Sequence, residues 1–146
     1  MEVVNRLFWP AERRRWGLGY ILTILLVDDD PFQASVRKSM LEKRFSDVLR
    51  VAGAADALRL IEQPRLAASL GLVVTGHHLA GIGGPAFVAE LHTRIPSVPV
   101  LVLGNSSEER SEYPSEHVSF LARPILTDEL LALASQLLAE NHLKTA

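Results

Sequence analysis

The sequence has no cysteine. Disulfides, thiolate metal sites and cysteine nucleophiles are thereby excluded, and the absence is compatible with a cytoplasmic setting. An excess of charge of one sign is also lacking, since 15 Lys and Arg stand against 17 Asp and Glu for a formal net charge of −2. No global basic field would hold such a chain on nucleic acid, so no nucleic-acid partner is expected for this chain by itself. A membrane-length apolar run is missing too. The stretch from Trp16 to Val27 follows Arg13, Arg14 and Arg15 and imitates a signal peptide. It falls well short of the ~20 residues a span needs, offers no small-x-small cleavage site, and ends in Asp28, Asp29 and Asp30. Its second half reads better as a buried strand, and no membrane partner is expected.

What is present is a globular balance, with 48% hydrophobic and 22% charged residues over a length of 146, enough for one domain with a real core. From Leu22 onward short apolar runs alternate with stretches of helical period. The runs at 23–27, 48–52, 72–75, 98–103 and 118–121 predict five strands. Between them, 31–44 carries Phe32, Val36, Met40 and Leu41 at helical spacing, with Asp30 as N-cap and Pro31 at the first helical position. The segments 54–62 and 85–94 repeat the pattern, the second stopping before Pro96. The segment 106–113 predicts a short or frayed helix closed by Pro114. Thr127 is expected to cap a last helix with Asp128 and Glu129 in its first turn and an inward stripe of Leu130, Ala134, Leu137 and Leu138. This alternation predicts an α/β fold, a doubly wound five-stranded parallel sheet. The expected domain covers 22–141, with a polar tail at 142–146. Residues 1–21, with Phe8, Trp9, Pro10 and the arginine run, form an extension that fits a docking or solvated segment.

Four blocks in order carry a resemblance. Leu25-Leu26-Val27-Asp28-Asp29-Asp30-Pro31 looks like the first strand and acidic pair of response-regulator receiver domains. The stretch from Leu72 through Thr75, Gly76, His77, His78 and Leu79 to Gly81 and Gly84 is similar to their third strand and following turn. Pro99 to Leu103 resembles the fourth strand, and Phe120-Leu121-Ala122-Arg123-Pro124 the fifth with its Lys-Pro turn. The resemblance implies a flavodoxin-like receiver fold and a place in two-component phosphorelay signalling in bacteria. It also implies a site at the carboxyl ends of the strands, where open α/β sheets build ligand sites.

The departures bear on function. Aligned through Leu79 and Gly81, the family's phosphoacceptor aspartate falls at Gly76. Its Thr or Ser at the end of the fourth strand falls at Gly104, the alanine after it at Asn105, and its lysine at Arg123. Phe120 falls at the aromatic switch position, with no hydroxyl latch to draw it inward. Asp28 and Asp29 remain. Phosphotransfer of this kind needs a carboxylate nucleophile, Mg²⁺ and an ammonium, so the pocket reads as degenerate, with Asp28 and Asp29 a weak Mg²⁺ site at best. No cofactor is expected. Arg123, a rigid fork, is expected to reach Asp28 or Asp29 and stand in for the metal. Asp30 reads as a helix cap, and Asp28 and Asp29 also read as a solvated rim. His77 and His78 could ligate a metal or accept a phosphoryl group, but neighbours on a strand-to-loop turn usually point apart, so ordinary loop histidines are the expected reading. The glycines at 81, 83 and 84 read as a turn into the next helix.

The expected function is a non-enzymatic, phosphorylation-independent receiver-like adaptor that binds a protein partner. The resemblance suggests a histidine kinase or an output protein. Two alternatives stand beside it. One is a receiver that still accepts phosphate on Asp28 or Asp29. The other is a haloacid-dehalogenase-like phosphatase, suggested by the apolar run ending in Asp28-x-Asp30 and opposed by Pro31 and the late Arg123-Pro124.

Overall fold

A computed structural model describes residues 22–145, with side chains to Asn141. The expected extension at 1–21 lies outside the described residues. Five strands form one parallel sheet: β1 (Thr23–Val27), β2 (Val48–Val51), β3 (Leu70–Gly76), β4 (Val100–Gly104) and β5 (Val118–Ala122), in the order β2-β1-β3-β4-β5. The helices are α1 (Pro31–Glu42), α2 (Ala54–Leu60), α3 (Pro64–Ser69), α4 (Gly84–Arg94) and α5 (Thr127–Thr145), with a 3₁₀ helix at Ser107–Glu112.

Strand alternation sorts the core into two layers. Leu25, Val27, Val73, Val100 and Val102 pack with Ala57 of α2 and Phe87, Val88 and Leu91 of α4. Ile24, Leu26, Leu72, Val74, Leu101 and Leu103 pack on the other face with Leu41 of α1 and Leu130, Ala134 and Leu137 of α5. Both faces of β1, β3 and β4 are covered, which is why those strands read as continuous apolar runs.

Local chemistry sets the ends. Asp30 caps α1, its carboxylate accepting from the Phe32 and Gln33 N–H groups at 3.0 and 3.1 Å, and Pro31 opens the helix. Ser106 and Glu109 form a reciprocal capping box on the 3₁₀ helix, which stays short because Pro114 has no N–H to extend it.

Four expectations are corrected. The buried stripe of α1 is Ala34, Arg37 and Leu41, whereas Phe32 and Val36 face solvent at 79% and 44% exposure. Leu41 and Met40 do face the core as their spacing predicts, but nearer the helix start the inward positions go to Ala34 and to Arg37, which pairs with a carboxylate at the end of β1. Helix α3, opened by Pro64, was not foreseen. Thr127 is the first helical residue of α5 rather than its cap, and the Leu130 N–H bonds the Leu126 carbonyl at 2.9 Å. The expected polar tail is helical through Thr145, since no Gly or Pro follows Pro124 to end α5.

Candidate functional site

Parallel strands leave their carboxyl ends on one edge, and β1, β3, β4 and β5 deliver Asp28, Gly76, Gly104 and Arg123 there. Asp28 is buried at 2% exposure. Its carboxylate accepts from the Arg37 guanidinium at 3.1 Å, from Gln33 Nε2 at 3.3 and 3.1 Å and from the Asp30 N–H at 3.0 Å. Its carbonyl accepts two hydrogen bonds from Arg50 on β2, at 3.1 and 2.7 Å. Arg37 is 5% exposed. Burial pulls its pKa below the ordinary arginine value and nearby Arg123 adds to that, with Asp28 opposing. Arginine is so strong a base that the group stays a cation. Asp29 is exposed and turned away from this pair, accepting from the Ala80 N–H at 2.8 Å and so tying the end of β1 to the loop after β3.

Arg123 does not reach Asp28 or Asp29. Its guanidinium donates to the Gln33 side-chain carbonyl, and Gln33 relays to Asp28. The ion pair expected of Arg123 is made by Arg37 instead, because α1 already overhangs β1 while Arg123 sits exposed on the far strand, next to the cis bond to Pro124.

Gly76 closes β3 beside this pair. A Cβ built there would meet nothing closer than 3.8 Å, with Arg37 Nη1 at 3.9 Å. The arginine head thus stands against the space a side chain at 76 would enter. Gly104 is different: a Cβ would lie 2.4 Å from both Glu109 Oε1 and Phe120 Cζ. The room that a Thr or Ser would take is filled by a carboxylate and a ring. Phe120 is turned inward at 8% exposure, contrary to the expectation that nothing would draw it in, because the missing side chain at 104 leaves it a seat.

These strand ends, in this sheet order, suit one assignment. A model of the response regulator receiver domain matches residues 24–135. The chain belongs to that family. Solved receiver domains share its fold. The signal receiver domain of an HD domain-containing protein from Pseudomonas fluorescens is 24% identical, with 83% of this chain and 97% of that one covered at a TM-score of 0.73. A receiver domain protein from Clostridium thermocellum is 20% identical, covering 84% and 98% at 0.72. The receiver domain of a sensor histidine kinase from Pseudomonas aeruginosa, solved with a magnesium ion coordinated in its active-site cleft, is 22% identical, covering 81% and 98% at 0.69. No curated protein matches the chain.

A magnesium ion does not fit the residues of this receiver. Mg²⁺ takes a near-octahedral oxygen shell, partly of water, anchored on one or two carboxylates, yet Asp28 is engaged by Arg37 and Gln33, Asp29 is bonded to the Ala80 N–H, and Gly76 offers no oxygen beyond its backbone. The fixed cation at Arg37 would repel a second one at this distance.

The histidines also depart from expectation. His77 and His78 turn the same way, their rings 4.6 Å apart, toward Glu109 of the 3₁₀ helix. His77 Nδ1 lies 2.7 Å from the Tyr113 hydroxyl. Burial, with Glu112 and Glu109 adding to it, pushes that phenol's pKa well up, so Tyr113 stays neutral. Sequence reasoning missed Arg37, Gln33, Glu109 and Tyr113. For Arg37 the available signal was the spacing Ala34, Arg37, Leu41, a second inward stripe that carries a charge. For Glu109 it was the Ser-x-x-Glu capping box.

Proposed function

We propose that this receiver acts without phosphorylation, as a non-enzymatic adaptor that binds a protein partner of a two-component pathway. The observation that carries the reading is the buried ion pair of Arg37 and Asp28 at 3.1 Å, set beside Gly76. An internal cation takes the part that a metal ion plays in phosphotransfer, and the strand end that would supply the nucleophile has no carboxylate.

A second feature supports it. A two-state switch needs a group with two seats and a ligand that favours one of them. Here Phe120 already occupies the inward seat, held by the gap at Gly104, so the face formed by the 3₁₀ helix and β5 has one arrangement to present. That face carries a groove of about 500 Å³ lined by Arg110, Tyr113, Pro114, Val118 and Phe120 among others, a size suited to an inserted partner side chain.

The test is intact-mass spectrometry after acetyl phosphate and Mg²⁺, with a parallel thermal scan in beryllofluoride. Neither an adduct nor a shifted midpoint is expected. A phosphoryl adduct mapped to Asp28 or Asp29 would overturn the reading and make the protein an unusual phosphoreceiver.

A further inference from the structure

Outside the ion-paired pocket, one cluster among the described residues brings metal-ligating atoms together. His78 Nε2 lies 3.1 Å from Glu109 Oε2, and His77 Nε2 lies 4.0 Å from the same oxygen. The three ligating atoms are all within 4.8 Å of one another. A tetrahedral zinc site with N and O ligands at its usual bond lengths has edges of about 3.4 Å, so small side-chain rotations close this triangle around an ion.

The orientation is built rather than incidental. Glu109 spends Oε1 on the N–H groups of Asn105 and Ser106, at 2.9 and 3.4 Å, which leaves Oε2 aimed at the two imidazoles. His77 Nδ1 faces the Tyr113 hydroxyl, and with Nδ1–H donating to that oxygen the lone pair of Nε2 is presented to the carboxylate side. A second-shell hydrogen bond of this sort fixes the tautomer and direction of a metal-bound imidazole. Tyr113 is itself locked: a Cβ at Gly84 would lie 2.2 Å from its hydroxyl, so only glycine permits the pair, and the Gly84 N–H bonds the His77 carbonyl at 2.9 Å. Glu112 adds a second carboxylate 3.6 Å from His77 Nε2.

We propose that His77, His78 and Glu109 bind one first-row transition-metal cation, zinc foremost, and clip the loop after β3 to the 3₁₀ helix. Two imidazoles and one carboxylate suit zinc, nickel or copper and disfavour magnesium. A fourth position remains for water or an incoming ligand. The site rests on these side chains and not on the reading of the phosphorylation pocket. Its consequence is regulatory, because the metal joins β3 to the segment that also carries the groove wall, and so fixes that face when bound.

The experiment is calorimetric titration of chelator-treated protein with Zn²⁺, with Co²⁺ absorption as a second readout. Expected are one ion per chain, a Co²⁺ spectrum of four-coordinate intensity, and a raised unfolding midpoint. His78→Ala alters an exposed residue, and Glu109→Gln keeps an oxygen for the two N–H groups, so both variants fold. Each should weaken Zn²⁺ binding by at least tenfold, since changes even in supporting partners cost about 10–100-fold. His92→Ala, in the other histidine pair (with His117, rings 6.2 Å apart), should leave binding unchanged. Absence of stoichiometric binding overturns the proposal and leaves His78–Glu109 a plain hydrogen-bonded contact. Binding that survives both variants, or that is lost with His92→Ala, overturns it as well.

Discussion

Arg37 sits where two readings of the same helix diverge. Asp28 and its neighbours announce an acidic strand end in the linear sequence, but nothing there says which arginine answers it. The buried pair predicts an asymmetric mutational pattern. Removing one partner of a buried ion pair strands the other charge and costs about 3–5 kcal/mol, so Arg37→Met should lower stability by that order in urea titration. Combining it with Asp28→Asn should recover much of the loss. Arg123→Ala should cost under about 1 kcal/mol, because Arg123 is exposed, its side chain donates to Gln33, and its backbone bond to the Gly104 carbonyl survives the change. Equal effects of Arg37→Met and Arg123→Ala would show that the ion pair does not organise the site.

At the scale of elements, the carboxyl end of β4 and the 3₁₀ helix act as one unit. Glu109 caps the helix it belongs to, closes over Gly104 and faces the histidines. Gly104→Thr would force a Cβ to within 2.4 Å of Glu109 and Phe120. Overpacking of this kind costs about 1–3 kcal/mol, and the ring has to leave its seat. Thermal denaturation should register the loss, and the Phe120 ring resonances should move. A fully stable variant with an unmoved ring would mean that the seat is not filled as described. The short helix at this place was legible from Ser106 and Pro114, and its capping box gives the reason. Helix α3 was not, because six residues are too few to show a period. Pro64 at its first position was the one local sign.

At the scale of the whole fold, the described residues form one sheet shared by two apolar layers, so neither layer can melt alone without exposing the other. Phe87→Ala on one face should cost about 3–5 kcal/mol and Leu130→Ala on the other about 2–5 kcal/mol, both residues being fully buried. Each variant should unfold in one transition, with far-UV circular dichroism and side-chain resonances giving the same midpoint. Separate midpoints for the two faces would contradict a shared core. No helix among the described residues is long and apolar enough to cross a membrane.

The architecture is legible in the order of the letters. Runs such as Thr23 to Val27 are apolar throughout because both sheet faces are covered, and Asp30 with Pro31 marks a helix start by chemistry that needs no distant partner. The acidic strand end, the glycine at 76 and the arginine at 123 were likewise visible as letters in order. Which groups meet is settled by the packing of the elements. In α1 the buried position falls to Arg37 and not to Val36, and an amphipathic pattern with two usable stripes that share Leu41 does not choose between them. The convergence of His77, His78 and Glu109 joins residues about thirty positions apart, set by the pairing of β3 with β4 and by a turn whose direction local propensity leaves open. Patterns along a chain are fixed by neighbours in sequence, whereas a site is fixed by the packing of elements that share none.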